Sequence, residues 1–403
     1  MPVLANYRHF DGYHWETGSL HNLYAYRGVT APHTGRPYSE AFFLGVSGGI
    51  AMGYFSFAYA GFDPQCNILT RNTFDPLDTS LARLGIVQSV EQTANADKAI
   101  ALLVDTLADG VPAIVWADHW SLSYNALAEH EQMWGMMPIV VYGYDAAADS
   151  VWVADRANGP LTISMSELAA ARGRVKKSKH RLLTVDLPDT DKLVSAVQAG
   201  IWDCIKLFTE KPPKGTADNF GLRAYQHWAK LLTHPKQRLS WQKIFAPGAA
   251  MYAGLTSAYN FAFLFGKDEE GDAERSRYAE FLNEASILLD KPALRQAAAA
   301  FQRAADVWRR LGPILLPDVV TPLGEARALM TRRHQRFLQA GQGALDEMRQ
   351  IDAHLAELRR RMDAEFPLTQ PQVEQQRQAI AAQILEIHDA EREAVRVLKE
   401  AMS

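Results

Sequence analysis

An α+β domain followed by an all-α region is the fold class this sequence predicts, on three observations. Short apolar runs separated by turn residues occupy the chain as far as about Asp186, and strand signals vanish after it. The last part then places apolar residues three and four positions apart over two long stretches.

In the first part the strand-like runs are Pro112–Trp116, Pro138–Tyr142, Ser150–Ala154 and the shorter Arg181–Val185. Turn signals part them, at Gly143-Tyr144-Asp145, at Asp155 and at Asn158-Gly159-Pro160. Ile139-Val140-Val141 has the unbroken apolar character of a strand buried on both faces. Helical periodicity falls at Ser19–Gly28, Asp97–Ala108 and Met165–Arg172. Before the last of these, Ser164 with Glu167 three residues on forms a capping-box signature.

From Leu187 the predicted helices are Leu193–Phe208, Gly221–Leu232, Trp241–Phe265, Ala273–Leu289 and Leu294–Leu311, punctuated by Pro212-Pro213, Pro235, Pro247 and Pro292. Gly324–Ala364 and Pro371–Met402 follow. Their seams (Leu345, Met348, Ile351, Leu355, Leu358 and Met362; Ile380, Ile384, Ile387, Val395 and Leu398) suggest one antiparallel helical hairpin. The expected domains are therefore 1–186, 187–320 and 321–403, with the hairpin offering a surface for a homodimer.

The composition excludes several function classes. At 403 residues, 48% hydrophobic and 22% charged, the chain is long enough for two packed cores and is not disordered. A net charge of −4 provides no global field for nucleic acid or an anionic membrane surface. Two cysteines are too few for a disulfide framework or an all-cysteine metal centre, which favours a reducing compartment. The opening MPVLANYRHFDGYHWETG lacks the basic and apolar regions of a signal peptide, and the most apolar stretch, Gly248 to Phe265, is interrupted by polar residues. A cytoplasmic protein with no membrane partner is the expectation.

Candidate chemistry is sparse. Gly45, Gly48, Gly49 and Gly53 lack the Gly-Lys-Ser/Thr ending and the ribose-binding acid of nucleotide loops, so they read as close backbone packing. The basic run Arg172, Arg174, Lys176, Lys177, Lys179, His180 and Arg181 reads as a helix-to-strand loop. His9, His14, His21 and His33, with Asp118-His119 and His130-Glu131, could supply metal ligands, but no His-x-x-x-His or Glu-x-x-His pair supports this; no metal and no cofactor are expected. Cys66 in a turn-rich stretch and Cys204 in an apolar helix read as inert thiols.

The segment His14-Trp15-Glu16-Thr17-Gly18-Ser19-Leu20-His21-Asn22-Leu23 resembles the opening of the butirosin-biosynthesis H-protein N-terminal family, which reads His-Cys, a few residues, then Asn-Leu-Leu and a Gly. The likeness continues through Ser39-Glu40-Ala41, Gly48-Gly49, Gly53-Tyr54-Phe55, Trp116-Ala117-Asp118, Tyr124-Asn125, Val140–Asp145 and Val153-Ala154-Asp155, covering residues 5–185. Asn219-Phe220-Gly221-Leu222, Trp228-Ala229 and Arg277–Ala285 are similar to the helical domain that follows in such proteins.

The resemblance implies a papain-like domain that moves an acyl group from a carrier thioester to an amine, using a Cys at a helix start, a His base and an Asp or Asn orienter. This sequence departs at the decisive places. Trp15 stands where the family carries its Cys, Met136-Met137 replaces its Gly-His, and Asp155 alone remains. Neither Trp nor Met can serve as nucleophile or base.

The first reading is thus an acyltransferase-related enzyme without a cysteinyl intermediate. Its expected catalytic residues are His14, Glu16, Asp118 and His119, and its binding residues Trp15, Met137, Tyr124 and Asp155. Its partners would be a small-molecule amine or acyl substrate, with an acyl carrier protein or coenzyme A thioester as donor. The alternatives are a non-catalytic pseudoenzyme that binds or scaffolds partners, and a metal-dependent enzyme using His14, Glu16, Asp118, His119 or His130.

Overall fold

In the computed structural model, which describes residues 4–127, 134–266 and 271–403, the N-terminal sheet domain and the helical C-terminal region predicted above are both present. They do not follow the contiguous boundaries 1–186, 187–320 and 321–403. One compact unit comprises Met1–Phe43, Leu77–Leu193 and Arg333–Gln350; the other comprises Leu44–Pro76, Val194–Arg332 and Ile351–Ser403.

The first unit is organised by a six-stranded antiparallel sheet. Two other strands precede its strands in the chain, β1 (Ile50–Phe57) and β2 (Gln65–Arg71). The sheet itself comprises β3 (Gln88–Glu91), β4 (Ala113–Asp118), β5 (Met136–Asp145), β6 (Ser150–Ala154), β7 (Leu161–Ile163) and β8 (Leu182–Val185), in the order β3-β8-β4-β5-β6-β7. The apolar run read as a doubly buried strand lies in β5, where Ile139, Val140 and Val141 are buried beside Ala113, Ile114 and Val115 of β4. Helix Ala96–Ala108 is capped by Asn95, whose side chain accepts from the Lys98 amide at 2.8 Å, and buries Leu103 and Leu107.

Helix Met165–Gly173 confirms half of its capping box. Ser164 accepts from the Glu167 amide, but the Glu167 carboxylate turns to the Ser123 amide at 2.7 Å. The first helix, Trp15–Tyr26, packs on β5 and starts four residues earlier than its periodicity suggested.

The second unit carries the β1–β2 hairpin, which the sequence reading omitted, and most of the helices. The glycines do serve close packing here. A Cβ at Gly45 would enter the Phe281 ring, and one at Gly49, whose φ is +72°, would meet Tyr278 at 2.6 Å. The expected helix Trp241–Phe265 is broken into Trp241–Ile244 and Ala249–Phe263, because Pro247 removes a donor and Gly248 takes φ +117°.

The helical hairpin is corrected. Gly324–Ala364 is interrupted by the tight turn Gly341–Ala344, leaving Thr321–Ala340 and Leu345–Ala364. Gln370–Met402, started by a Thr369–Gln372 capping box, packs on Gly221–Thr233, Leu294–Arg309 and Leu311–Leu315 rather than on Leu345–Ala364. Its seam of Ile380, Ile384, Ile387, Val395 and Leu398 is fully buried in that bundle. Periodicity identifies the face a helix buries but not the partner that covers it. Among the described residues no helix is long and apolar enough to cross a membrane.

Candidate functional site

The start of the first helix is assembled over a distance in sequence. His14 is its N-cap, but its own side chain makes no capping hydrogen bond. The orphan donors are taken by the buried Glu40 carboxylate, which accepts from the Tyr13 and His14 amides and from Thr17 Oγ1, the last two at 2.8 and 2.6 Å. Gly12 packs against Gly18, where any side chain would collide, and its amide donates to Asn22 Oδ1 at 3.0 Å. Trp15 is thereby fixed as the first helical residue and is buried.

A small cleft opens beside it, lined by Gly12, His14, Trp15, Gly18, Ser19, Asn22, Ala154, Asp155 and Arg156. The space left is about 10 Å³, room for no more than a single water. Arg156 forms one of its walls. Its guanidinium carbon lies 4.2 Å from the Trp15 ring centre and 4.9 Å from that of Phe337. Its Nε donates to Asp155 Oδ1 at 3.2 Å and its Nη2 to Asn125 Oδ1 at 3.0 Å. The other Asp155 oxygen accepts from the Tyr124 hydroxyl at 3.1 Å.

The expected site residues divide accordingly. His14, Trp15 and Asp155 line the cleft, Tyr124 holds Asp155, and Glu16 lies 3.0 Å from His14 Nδ1. His119 meets Trp15 edge-on, with ring centres 5.5 Å apart.

His119, one of the expected catalytic residues, is held by Asn125. Arg156 fixes the Asn125 oxygen as acceptor, so the Asn125 amide nitrogen donates both to His119 O at 2.9 Å and to Nδ1 at 3.1 Å. This assigns a neutral imidazole with its proton on Nε2. Burial, reinforced by Arg156 and Arg333, holds its pKa well below the ordinary histidine range.

Asp118 does not reach the cleft. Its oxygens accept from the Gly135 amide at 2.8 Å, the Trp120 amide at 3.4 Å and Ser121 Oγ at 2.6 Å, closing the turn after β4. Met137 lies in β5 opposite Ala117 and is absent from the cleft lining. Arg156, Phe337 and His334 escape the sequence reading, and Glu40 and Asn125, which carry part of the resemblance, are given no role by it. No local pattern marks Arg156, and Phe337 and His334 come from the far end of Thr321–Ala340.

His334 is buried with Nε2 unpartnered, and burial together with Arg156 and Arg333 lowers its pKa to about 3. Because the folded pKa is depressed, the unfolded chain binds this proton first as pH falls. The contribution is complete above the ordinary value of about 6.5 and is lost progressively towards about 3. Urea unfolding should therefore show stability falling by on the order of 1.4 kcal/mol per pH unit within that window from this residue. His334→Phe should flatten the slope; an unchanged slope would remove the assignment.

Burial raises the Cys204 thiol to about 12 and the Cys66 thiol further, so neither is a ready nucleophile. In the basic run, Arg172 is buried and donates to Ala99 O and His180 O, while Arg181 lies over Trp116 at 4.1 Å. His21 is engaged by Tyr38 O and Asp11. Among the described residues no group of three His, Cys, Asp or Glu side chains is placed to hold a metal ion; His130 and Glu131 lie outside the described residues.

The first unit is thus an antiparallel-sheet domain whose cleft lies between the start of its first helix and the residues that follow β6. Residues 14–156 match the family model described as butirosin biosynthesis protein H, N-terminal, so this part of the chain is similar to that family. The match begins on His14 and ends on Arg156, the two sides of the cleft. No curated protein matches the chain.

Proposed function

We propose that this protein is an acyltransferase-related component of a specialised-metabolite biosynthetic assembly that acts by binding in its cleft and forms no cysteinyl intermediate. The observation that carries this reading is Trp15, buried at the first position of the helix where a covalent family member would present its nucleophile. The family supplies the acyl-transfer context, and the first helix packed on β5 is compatible with a papain-like arrangement. The surrounding polar groups are committed to one another: Asp155 to Tyr124 and Arg156, His119 to Asn125. A thioester and an amine have no room to meet while Trp15 and Arg156 hold their places.

A second reading rests on a separate observation. His14 lines the cleft with Glu16 against its Nδ1, an imidazole–carboxylate pair that could take a proton from an attacking amine in direct aminolysis.

Incubation of the whole chain with an acyl-coenzyme A thioester and a primary amine separates the two. The binding reading expects no amide above the uncatalysed rate, in the wild type and His14→Ala alike. Turnover lost in His14→Ala and reduced in Glu16→Gln would replace it with direct aminolysis. Turnover lost in Cys66→Ser or Cys204→Ser would overturn both.

A further inference from the structure

The surroundings of Arg156 have the elements of a receptor for a planar cation. Two aromatic faces, Trp15 and Phe337, lie against the guanidinium carbon, and Tyr124 stacks behind Phe337 with ring centres 6.4 Å apart. A carboxylate and an amide oxygen, Asp155 Oδ1 and Asn125 Oδ1, accept from two of its nitrogens in a fork. Asp155 is held in turn by Tyr124, and Asn125 by the His119 carbonyl. The same guanidinium forms one wall of the cleft.

We propose that Arg156 is an internal plug in a guanidinium-binding cage, and that a small molecule bearing a guanidinium group opens the cleft by taking its place between Trp15, Phe337, Asp155 and Asn125. The inference rests on the reading of the cleft as a binding site. Guanidinium is favoured over a simple ammonium because the two acceptors and two ring faces match a flat fork of N–H donors rather than a compact sphere. Replacing Arg156 by a small residue joins the vacated volume to the existing space beside Asp155 and leaves that carboxylate without its cation. The cage then has an electrostatic demand that an external guanidinium satisfies.

The test uses the full chain carrying Arg156→Ala, with ethylguanidinium as probe and the neutral ethylurea as control. Calorimetry should show saturable one-to-one binding of millimolar ethylguanidinium and none of ethylurea, with a rise in Tm for the cation alone. The wild type, its cage filled, should bind at least about tenfold more weakly. Adding Asp155→Asn to the variant should weaken binding by about tenfold or more.

If Arg156→Ala does not fold alone, ethylguanidinium should restore its circular-dichroism spectrum where ethylurea does not, and Arg156→Gln repeats the comparison in a milder background. Equal responses to the two compounds, or none, in both variants would overturn the proposal. No acyl donor is present in these measurements, so they stand apart from the fate of the acyl-transfer reading.

Discussion

Arg275→Met should cost the protein roughly 3–5 kcal/mol of stability, because it strands a carboxylate in the middle of the helical unit. Arg275 and Glu391 are both fully buried, with Nε and Oε1 2.5 Å apart. The rest of the guanidinium is committed to backbone carbonyls and one hydroxyl. Nη1 donates to Thr70 O at 2.9 Å and Ala273 O at 2.6 Å, and Nη2 donates to Ala51 O at 2.8 Å and meets the Tyr225 hydroxyl at 3.3 Å. Trp308 Nε1 donates to the same Glu391 oxygen at 2.7 Å.

One cation therefore ties β1, β2 and helices Gly221–Thr233, Arg275–Leu288 and Gln370–Met402 together. Removing it leaves an unpaired buried charge, a larger loss than the net worth of the pair. Adding Glu391→Leu should recover part of the loss, since no charge then remains to be compensated. Urea unfolding of the three proteins decides the matter: a single variant within about 1 kcal/mol of wild type would show that Arg275 is not this strut.

Trp15→Ala should be the next most costly change, at roughly 3–5 kcal/mol, as large-to-small replacement of a buried aromatic leaves a cavity that its surroundings fill only partly. His14, His119 and Arg156 all rest on this ring, the first with ring centres 5.1 Å apart. Trp15→Phe should cost less, because it keeps a face for Arg156. A double-mutant cycle with Arg156→Ala should return a coupling of about 1 kcal/mol or more, reflecting the cation–π contact. Near-zero coupling would mean that the two side chains share a cleft wall without sharing energy.

Much of this fold was legible because its strands and helices carry local signatures. The unbroken apolar run at Ile139-Val140-Val141, the Ser164 cap and the prolines that part the later helices each act within a few residues. What was not legible depends on pairing across the chain. The first helix begins at Trp15 because Glu40 caps it from outside, a donor–acceptor match that no nearby Ser, Thr or Asp announces.

The β1–β2 hairpin escaped notice because its strand carries Gly53 and lies in a glycine-rich segment whose evident message is close packing. Gln370–Met402 displayed its apolar seam openly, yet the seam could not say that Gly221–Thr233 and Leu294–Arg309 would cover it.

The site divides along the same line. His14, Trp15 and Asp155 were legible because a local motif carries them. Arg156, Asn125 and Phe337 acquire meaning only when residues 15, 125, 156 and 337 meet around one guanidinium. Asp118 is expected among the catalytic residues through the motif Trp116-Ala117-Asp118, but its side chain answers the needs of its own turn.

The absence of a covalent step is tested most directly by intact-mass spectrometry of the whole protein after exposure to a reactive acyl thioester. The expected result is an unchanged mass, because Trp15 has no group to acylate and both cysteines are buried with raised thiol pKa values. A stoichiometric acyl adduct on any residue of the cleft, or on either cysteine, would contradict it.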